Sequence, residues 1–352
     1  MMIQTYSSTI RRKEMDAVLT CMVDEKIGPG ELNARLIQQV KEFFKCDGAV
    51  ALRSPAVALK YILLSLDFEK ASKIMLSALA PAWQYQVVES LGYEPLVLDV
   101  SETDGLVPVE EIQKGIQNGG RLLLLHETEG ILPDFDSILS LGIPVVEDIS
   151  QSAGASVALK NEDGTPSEDR KRAGLFGVYT ILGLEEKDVI TAGGGAVLMA
   201  PGRREWIVLK KFTDEAPLTD LLPDINSALA WVQLKEFNRN ENTRREIFTM
   251  YQRSCMIGRH KTFARDMEGA STMCSFPLIL SSSFKDVKSY TAKKDIEIQQ
   301  AFAGSVIALK DELSESCIHA KSLLLRTAHF PLYPRLTQAQ AAKIVKVLGT
   351  LP

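Results

Sequence analysis

The sequence of 352 residues has few of the features that mark several common classes of protein. Its five cysteines form no C-x-x-C pair, and neither they nor the four histidines show metal-ligand spacing, so we expect reduced thiols and no metal site. A net charge of −5 leaves no basic excess for general nucleic-acid binding. The apolar runs are strand-sized and the first residues are polar, which favours a cytoplasmic location without membrane spans or a secretion signal.

Short β-type runs alternate with amphipathic helical stretches from about residue 50 to residue 200. This alternation predicts an α/β fold, with a mostly parallel sheet that is covered by helices on both faces. The predicted strands are 74–79, 95–98, 122–126, 144–147, 178–182 and 196–199, and the predicted helices between them are 56–66, 84–91, 108–117 and 135–141.

Two changes in pattern indicate how the chain is organised. The stretch 160–172 is polar apart from Pro166, so we expect an exposed insertion there, with a docking surface as the alternative. After residue 201 one long helix is predicted over 225–247, followed by a strand over 276–280 and helices over 315–327 and 338–348. We predict a large α/β domain over 1–240, whose N-terminal segment packs on the smaller domain, and a smaller α+β domain over 241–352.

One predicted strand ends at a pair of carboxylates, Glu147 and Asp148, and Gln151 follows shortly after. In parallel α/β sheets, ligands bind at the carboxyl ends of the strands. A buried carboxylate needs a compensating cation or hydrogen bonds, and the protonated ring nitrogen of a pyridine cofactor is one such partner. The alternative is an acidic residue that caps the following helix.

Another predicted strand leads into a turn that contains Lys187 and, over 191–195, the sequence T-A-G-G-G. A lone lysine is usually a surface charge, but beside an aldehyde cofactor it becomes a candidate, because Schiff-base chemistry needs an amine. The three glycines form no G-x-G-x-x-G fingerprint for a dinucleotide, and they are equally compatible with a simple tight turn.

Taken in order, these segments resemble the DegT-type family of sugar aminotransferases, also called DnrJ or StrS, which are pyridoxal-phosphate (PLP) enzymes of fold type I. Residues 145–155 match the family's V-I-E-D-A-A-Q-x-x-G-A, and residues 174–181 loosely match G-D-F-G-x-F-S-F. Lys187 and residues 191–195 match the family's lysine and its T-G-E-G-G turn. The resemblance implies a large domain with a seven-stranded, mostly parallel sheet between helices, and a smaller C-terminal α+β domain.

The resemblance also implies a role for each matching position. Lys187 would bond to PLP and act as the catalytic base, while Asp148 would keep the pyridine nitrogen protonated. The other residues implied to bind the cofactor are Gln151 near the ring, Thr180, Ser54 and Ala56 at the phosphate, and Trp83, the aromatic nearest to the stacking position occupied by Pro81. The implied reaction moves an amino group from glutamate to the keto group of a nucleotide-linked sugar, in a homodimer.

Several positions depart from the family's pattern. Pro55 has no N–H and Ala56 lacks the family's threonine hydroxyl, so the phosphate loses about two hydrogen bonds. Gly193 replaces a glutamate, and residues 219–221 replace the N-Y-R segment that helps to grip the cofactor from the partner subunit. These losses leave open a second hypothesis, in which the fold has lost turnover and serves as a binding or regulatory subunit. Sugar dehydration is disfavoured, because the relatives that perform it replace the lysine by histidine.

Overall fold

A computed structural model describes residues 2–160, 165–256, 258–265 and 271–352. The α-helices α1 to α13 are Arg12–Val23, Glu31–Phe44, Pro55–Leu66, Ala82–Ser90, Val109–Gln117, Phe135–Leu139, Arg203–Thr213, Asp224–Lys235, Phe237–Cys255, Phe284–Ala292, Val306–Leu309, Ile318–Arg326 and Gln338–Leu348. The strands β1 to β13 are Gly48–Leu52, Lys73–Ser77, Glu94–Leu98, Gly120–His126, Val145–Asp148, Ser156–Lys160, Pro166–Arg172, Tyr179–Gly183, Ala196–Ala200, Lys261–Thr262, Phe276–Ile279, Gln299–Gln300 and Thr327–Phe330. Within these ranges, no helix is both long and apolar enough to cross a bilayer.

The large sheet has seven strands in the order β1-β9-β8-β5-β4-β2-β3. Strand β9 runs antiparallel to both of its neighbours, and the pairs from β8 to β3 are parallel. Every residue of β5, β8 and β9 is buried, because helices cover both faces of the sheet. The predicted α/β fold with a mostly parallel seven-stranded sheet is therefore confirmed.

The smaller sheet has four strands in the order β10-β11-β13-β12 and lies in the C-terminal part of the chain. Its core contains Ile3 of the N-terminal segment, which also forms a bridge with Ile296. The N-terminal segment thus packs on C-terminal residues. The boundary predicted at residues 240 and 241 falls inside α9, which continues from Phe237 to Cys255, so the domain limits stay a prediction.

The structure contains several elements that were not predicted, and three of the differences have a physical reason. Strand β1 was not predicted, although it forms an edge of the large sheet. The helix predicted over 225–247 is wrong as a single element, because the backbone bends at Glu236 (φ −90°, ψ 4°) between α8 and α9. In the polar stretch 160–172, residues 161–164 lie outside the described residues, while β7 pairs antiparallel with β6 to form a hairpin. A search for alternating apolar residues misses this hairpin, because β7 carries charged residues on both of its faces.

Two buried glutamates lie under the C-terminal edge of the large sheet. Glu147 accepts backbone N–H groups from Gly174, Phe176 and Gly177 at 2.7, 2.6 and 2.5 Å. Burial raises the pKa of Glu147 above its usual value, and these hydrogen bonds oppose that shift. Glu127 is fully buried, and neither of its carboxyl oxygens has a hydrogen-bond partner among the described residues. Burial raises the pKa of Glu127 well above its usual value, and the charge of Glu147 acts in the same direction.

We predict that Glu127→Gln stabilises the protein increasingly as the pH rises. Because the pKa of Glu127 is higher in the folded than in the unfolded chain, its contribution to stability is present below its unfolded pKa and is lost as the pH climbs. The neutral amide removes this loss, which we expect to be worth about 1–3 kcal/mol at pH 8. Urea unfolding between pH 5 and pH 8 would measure it, with exposed Glu110→Gln as the control. Parallel stability curves for wild type and Glu127→Gln would contradict the prediction.

Candidate active site

The carboxyl ends of β1, β5 and β8 lie along one edge of the large sheet, because these strands run in the same direction. The register places Gly183, at the end of β8, level with Ala196 of β9 and Leu52 of β1. Ser54 therefore follows β1 at the same edge where the turn containing Lys187 follows β8. This is the edge at which parallel α/β sheets bind ligands.

Asp148 ends β5 and is almost fully buried. Its Oδ2 accepts a hydrogen bond from Gln84 Nε2 at 2.7 Å and lies 3.1 Å from His126 Nδ1, while Oδ1 accepts from the Ser150 hydroxyl at 2.5 Å. Burial alone would raise the pKa of Asp148, but the hydrogen bonds and charge attraction of His126, helped by Ser150, hold it below its usual value. Asp148 is therefore a carboxylate that could hold a protonated ring nitrogen.

Lys187 lies in an exposed turn between β8 and β9. The turn closes through hydrogen bonds from the Ala192 and Gly194 N–H groups to the Leu184 carbonyl, at 2.9 and 3.0 Å. Gly194 has a φ of +142°, which L-amino acids with a side chain rarely adopt, so this turn depends on glycine. The Lys187 Nζ lies 3.3 Å from Gln299 Oε1 of β12 and 4.5 Å from the centre of the Tyr6 ring.

A cavity of about 360 Å³ brings several of the predicted residues together. Lys187, Gln151 and Trp83 all line it, and so does His126, which contacts Asp148 behind the wall. Trp83 also packs against the apolar core of the sheet. The cavity thus brings the lysine together with an aromatic face, while the Asp148 carboxylate lies behind His126.

The residues predicted to bind a phosphate group are placed differently. Thr180 lies in the middle of β8, level with Glu147, and its buried hydroxyl donates to the Gly174 carbonyl at 2.7 Å rather than reaching the edge. Ser54 Oγ accepts from the Val57 N–H at 3.2 Å and so caps its own helix, α3. Strand β8 continues beyond Thr180 to Gly183, so Leu182 and Gly183 lie nearer the edge, and the phosphate roles of Thr180 and Ser54 stay predictions.

The comparisons with known proteins agree with this architecture. Residues 8–349 match the DegT/DnrJ/EryC1/StrS aminotransferase family. The chain belongs to this family. The predicted family is thus confirmed, and so is the class of enzyme.

Three solved structures illustrate the likeness of fold. PseC from Helicobacter pylori, an aminotransferase involved in the biosynthesis of pseudoaminic acid, is 16% identical with a TM-score of 0.84, over 99% of this chain and 98% of PseC. The aminotransferase TlmJ from Streptoalloteichus hindustanus is 15% identical with a TM-score of 0.84, over 99% and 96% of the two chains. The PLP form of a sugar aminotransferase from Streptococcus pneumoniae is 16% identical with a TM-score of 0.84, over 97% and 96%.

The residues at the sheet edge fit one end of the family's cofactor better than the other. At the ring end an amine (Lys187) and an aromatic face (Trp83) line one cavity, and a buried carboxylate (Asp148) lies behind its wall in contact with His126. Gln84 Oε1 is buried there without a partner among the described residues, so this end retains an acceptor. At the phosphate end, Ala56 supplies the remaining N–H in the first turn of α3, because Pro55 has none and the next two N–H groups already donate to Ser54.

Asp188 is a residue of the site that the sequence did not suggest. Its Oδ2 accepts the Glu185 N–H at 2.8 Å, and the side chain turns back toward Ser150 and Gly183. Burial raises the pKa of Asp188 to about 8, and the nearby charges of Asp148 and Glu185 add to this, although the backbone hydrogen bond opposes it. An acidic residue next to a lysine gives no signal in a sequence, since only the fold decides whether it points inward.

We predict that Gly183→Ala disturbs this edge of the site. An added Cβ would lie 2.4 Å from Asp188 Oδ2 and 2.5 Å from Ser150 Oγ, so both side chains would have to move. We expect a loss of about 1–3 kcal/mol in the free energy of unfolding, as for other overpacked positions, measured by urea denaturation. Gly28→Ala is the matched control, because nothing lies within 4 Å of its added Cβ. Equal stability of Gly183→Ala and Gly28→Ala would contradict the prediction, because it would mean that the added methyl group fits at this edge.

Proposed function

We propose that the protein is a PLP-dependent aminotransferase that moves an amino group from glutamate to the keto group of a nucleotide-linked sugar. The observation that carries the proposal is the cavity in which Lys187, Trp83 and Gln151 meet, with the Asp148 carboxylate behind His126. Membership of an aminotransferase family supports the reaction class. The sugar substrate is supported by relatives of the same fold, one of them named a sugar aminotransferase.

The proposal assigns a role to three residues in or behind the wall of the cavity. When bound, PLP supplies an aldehyde for an amine and a ring that withdraws electrons. Lys187 would supply the amine and move the proton at the substrate carbon, while Asp148, oriented by its contacts with His126 and Gln84, would hold the ring N–H. Trp83 offers an apolar face and excludes water from that side of the cavity.

The alternative is a protein that keeps the fold and has lost turnover, acting as a binding or regulatory subunit. It is favoured by the phosphate end, where the Thr180 and Ser54 hydroxyls are engaged within the protein and Pro55 has no N–H. Each missing donor to a charged phosphate is worth roughly 1.5–3 kcal/mol. The two functions are distinguished by two measurements: whether Lys187 captures PLP, and whether L-glutamate then bleaches the absorbance band.

We predict that wild-type protein incubated with PLP develops an absorbance band at longer wavelength than free PLP, and that Lys187→Ala does not. Borohydride reduction should fix the cofactor on Lys187, which peptide mass spectrometry would identify, and L-glutamate should bleach the band. Lys293→Ala removes an exposed lysine of the C-terminal part and is the matched control, which should behave like wild type.

The outcomes separate the two functions. A band that L-glutamate leaves unchanged would favour the alternative, in which binding survives and turnover is lost. If wild type captures no PLP at all, the aminotransferase proposal fails.

The homodimer and the cytoplasmic location expected from the sequence stay predictions. What supports a dimer is the surface of α1 and the turn after it, where several large apolar side chains are about half or more exposed. They are Met15, Leu19, Met22, Val23 and Ile27. Contiguous apolar surface of this kind marks interaction sites in soluble proteins. Sedimentation equilibrium should give twice the chain mass of 38.8 kDa, and a monomer at micromolar concentration would contradict the dimer.

A further inference from the structure

The Lys187 ammonium contacts two neutral groups, although its surroundings are acidic. Its Nζ donates to Gln299 Oε1 at 3.3 Å and lies 4.5 Å from the centre of the Tyr6 ring. Among the residues that the structure describes, no carboxylate forms an ion pair with it. Gln299 belongs to β12 and Tyr6 to the N-terminal segment, so both contacts come from outside the turn. Two distant parts of the sequence therefore determine where the amine lies.

The buried carboxylate closest to this arrangement, Glu129, has other partners. It lines the cavity with Lys187, but its Oε1 lies 2.8 Å from His329 Nε2 and its Oε2 accepts the Ser275 hydroxyl. Burial alone would raise the pKa of Glu129, but the charge and hydrogen bond of His329, helped by Ser275, hold it below its usual value. Glu129 is therefore a carboxylate that a histidine compensates, and the lysine is left to its neutral contacts.

The acidic residues of the turn do not hold the ammonium either. Asp188 Oδ2 accepts the Glu185 N–H at 2.8 Å, and the side chain turns back toward Ser150, while Glu185 and Glu186 are exposed. Burial raises the pKa of Cys274 to about 12, which keeps its thiol neutral. The other titratable or charged side chains that line the cavity or the small pocket beside it are His126, Arg244 and Tyr333.

A second layer of contacts decides which end of the Gln299 amide faces the lysine. Gln299 Nε2 lies 3.5 Å from Glu297 Oε1, and Glu297 Oε2 accepts the Thr5 N–H at 3.0 Å. The Thr5 hydroxyl also donates to the Glu297 carbonyl at 3.1 Å. Because an amide donates through its nitrogen, a carboxylate on the Nε2 side leaves Oε1 as the acceptor for Lys187. The amide thus lies between the ammonium and the Glu297 carboxylate.

The chemical nature of this contact is important for an amine that must react. A carboxylate within about 4–6 Å of a lysine favours the ammonium, whereas the neutral amine is the form that attacks an aldehyde. An amide oxygen fixes the position of Nζ through a hydrogen bond and brings no full negative charge to it.

We propose that Gln299 is a positioning residue for the reactive lysine, which holds the Lys187 amine at the cavity and keeps the Glu297 carboxylate away from it. The inference deepens the proposed function, because it rests on Lys187 as the group that reacts with PLP. Gln299 acts through Lys187 and needs no contact of its own with the cofactor or the substrate.

An exchange of the two side chains tests the proposal at constant net charge. In the double variant Glu297→Gln/Gln299→Glu the carboxylate faces Lys187 and the amide lies behind it. Acetic anhydride acetylates neutral amines, so peptide mass spectrometry over a range of pH follows the neutral form of Lys187 without any cofactor, with exposed Lys45 as the internal reference. We expect the labelling of Lys187 at pH 8 to fall about fivefold, as for unit charges about 4 Å apart in water. The single variant Glu297→Gln is the matched control, which should not lower the labelling.

Gln299→Leu tests the positioning separately from the charge. This variant removes the amide oxygen at similar volume, so the labelling of Lys187 at pH 8 should not fall. We expect the PLP absorbance band to develop about fivefold more slowly than in wild type, as for the loss of one hydrogen bond.

The outcomes are distinct. Equal labelling of Lys187 in the double variant and in Glu297→Gln would overturn the inference, because a carboxylate in contact with the ammonium must favour it. An unchanged rate of PLP capture in Gln299→Leu would overturn it as well, and this variant decides if the double variant fails to fold by circular dichroism. Either result, with PLP captured by wild type, leaves the proposed function intact. If wild type captures no PLP, the proposed function fails, and the labelling still shows whether Gln299 holds the amine.

Discussion

Negative charge buried at the carboxyl edge of the large sheet is the constraint on which the rest of the site depends. A carboxylate removed from water must be compensated by hydrogen bonds or by a cation, or it keeps its proton. Glu147 is compensated by backbone N–H groups, Asp148 by side chains, and Glu129 by a histidine from the C-terminal part of the chain. Glu127 and Asp188 have less compensation, and burial raises the pKa of both.

This distribution explains why the two ends of the proposed cofactor site differ. The ring end needs one ionised carboxylate and one amine, and Asp148 and Lys187 meet that need without a further charge. The phosphate end needs donors and no anion, yet it has lost donors through Pro55, and Asp188 brings a carboxyl group toward Ser150. At neutral pH the raised pKa of Asp188 favours its protonated form, which reduces the conflict with a phosphate. We therefore expect the proposed site to retain its reactive groups while holding the cofactor more weakly.

The sequence alone predicts the features that depend on a local residue pattern or on the order of segments along the chain. Strands such as β4, with four successive leucines, are recognisable because a strand buried on both faces is apolar throughout. Asp148 and Lys187 could be found because each follows such a strand at a distance that the family shares. Strand β1 could not be found, since the short run G-A-V-A-L is equally compatible with a helix. The depth of Thr180 below this edge could not be predicted either, because it depends on where β8 ends, and β8 continues for three residues beyond Thr180.

The residues from the two ends of the chain that line the cavity beside Lys187 could not be predicted from the sequence, for a different reason. Tyr6, Glu129 and His329 carry no local motif, and they meet only when the N-terminal segment packs against the smaller sheet, where Ile3 enters its core. The two ends of the chain thus complete the surroundings of Lys187, while Asp148, the carboxylate behind the cavity wall, comes from the middle. Because such contacts between distant residues form only in the fully folded protein, the electrostatic setting of the lysine is a property of the whole fold and not of its turn.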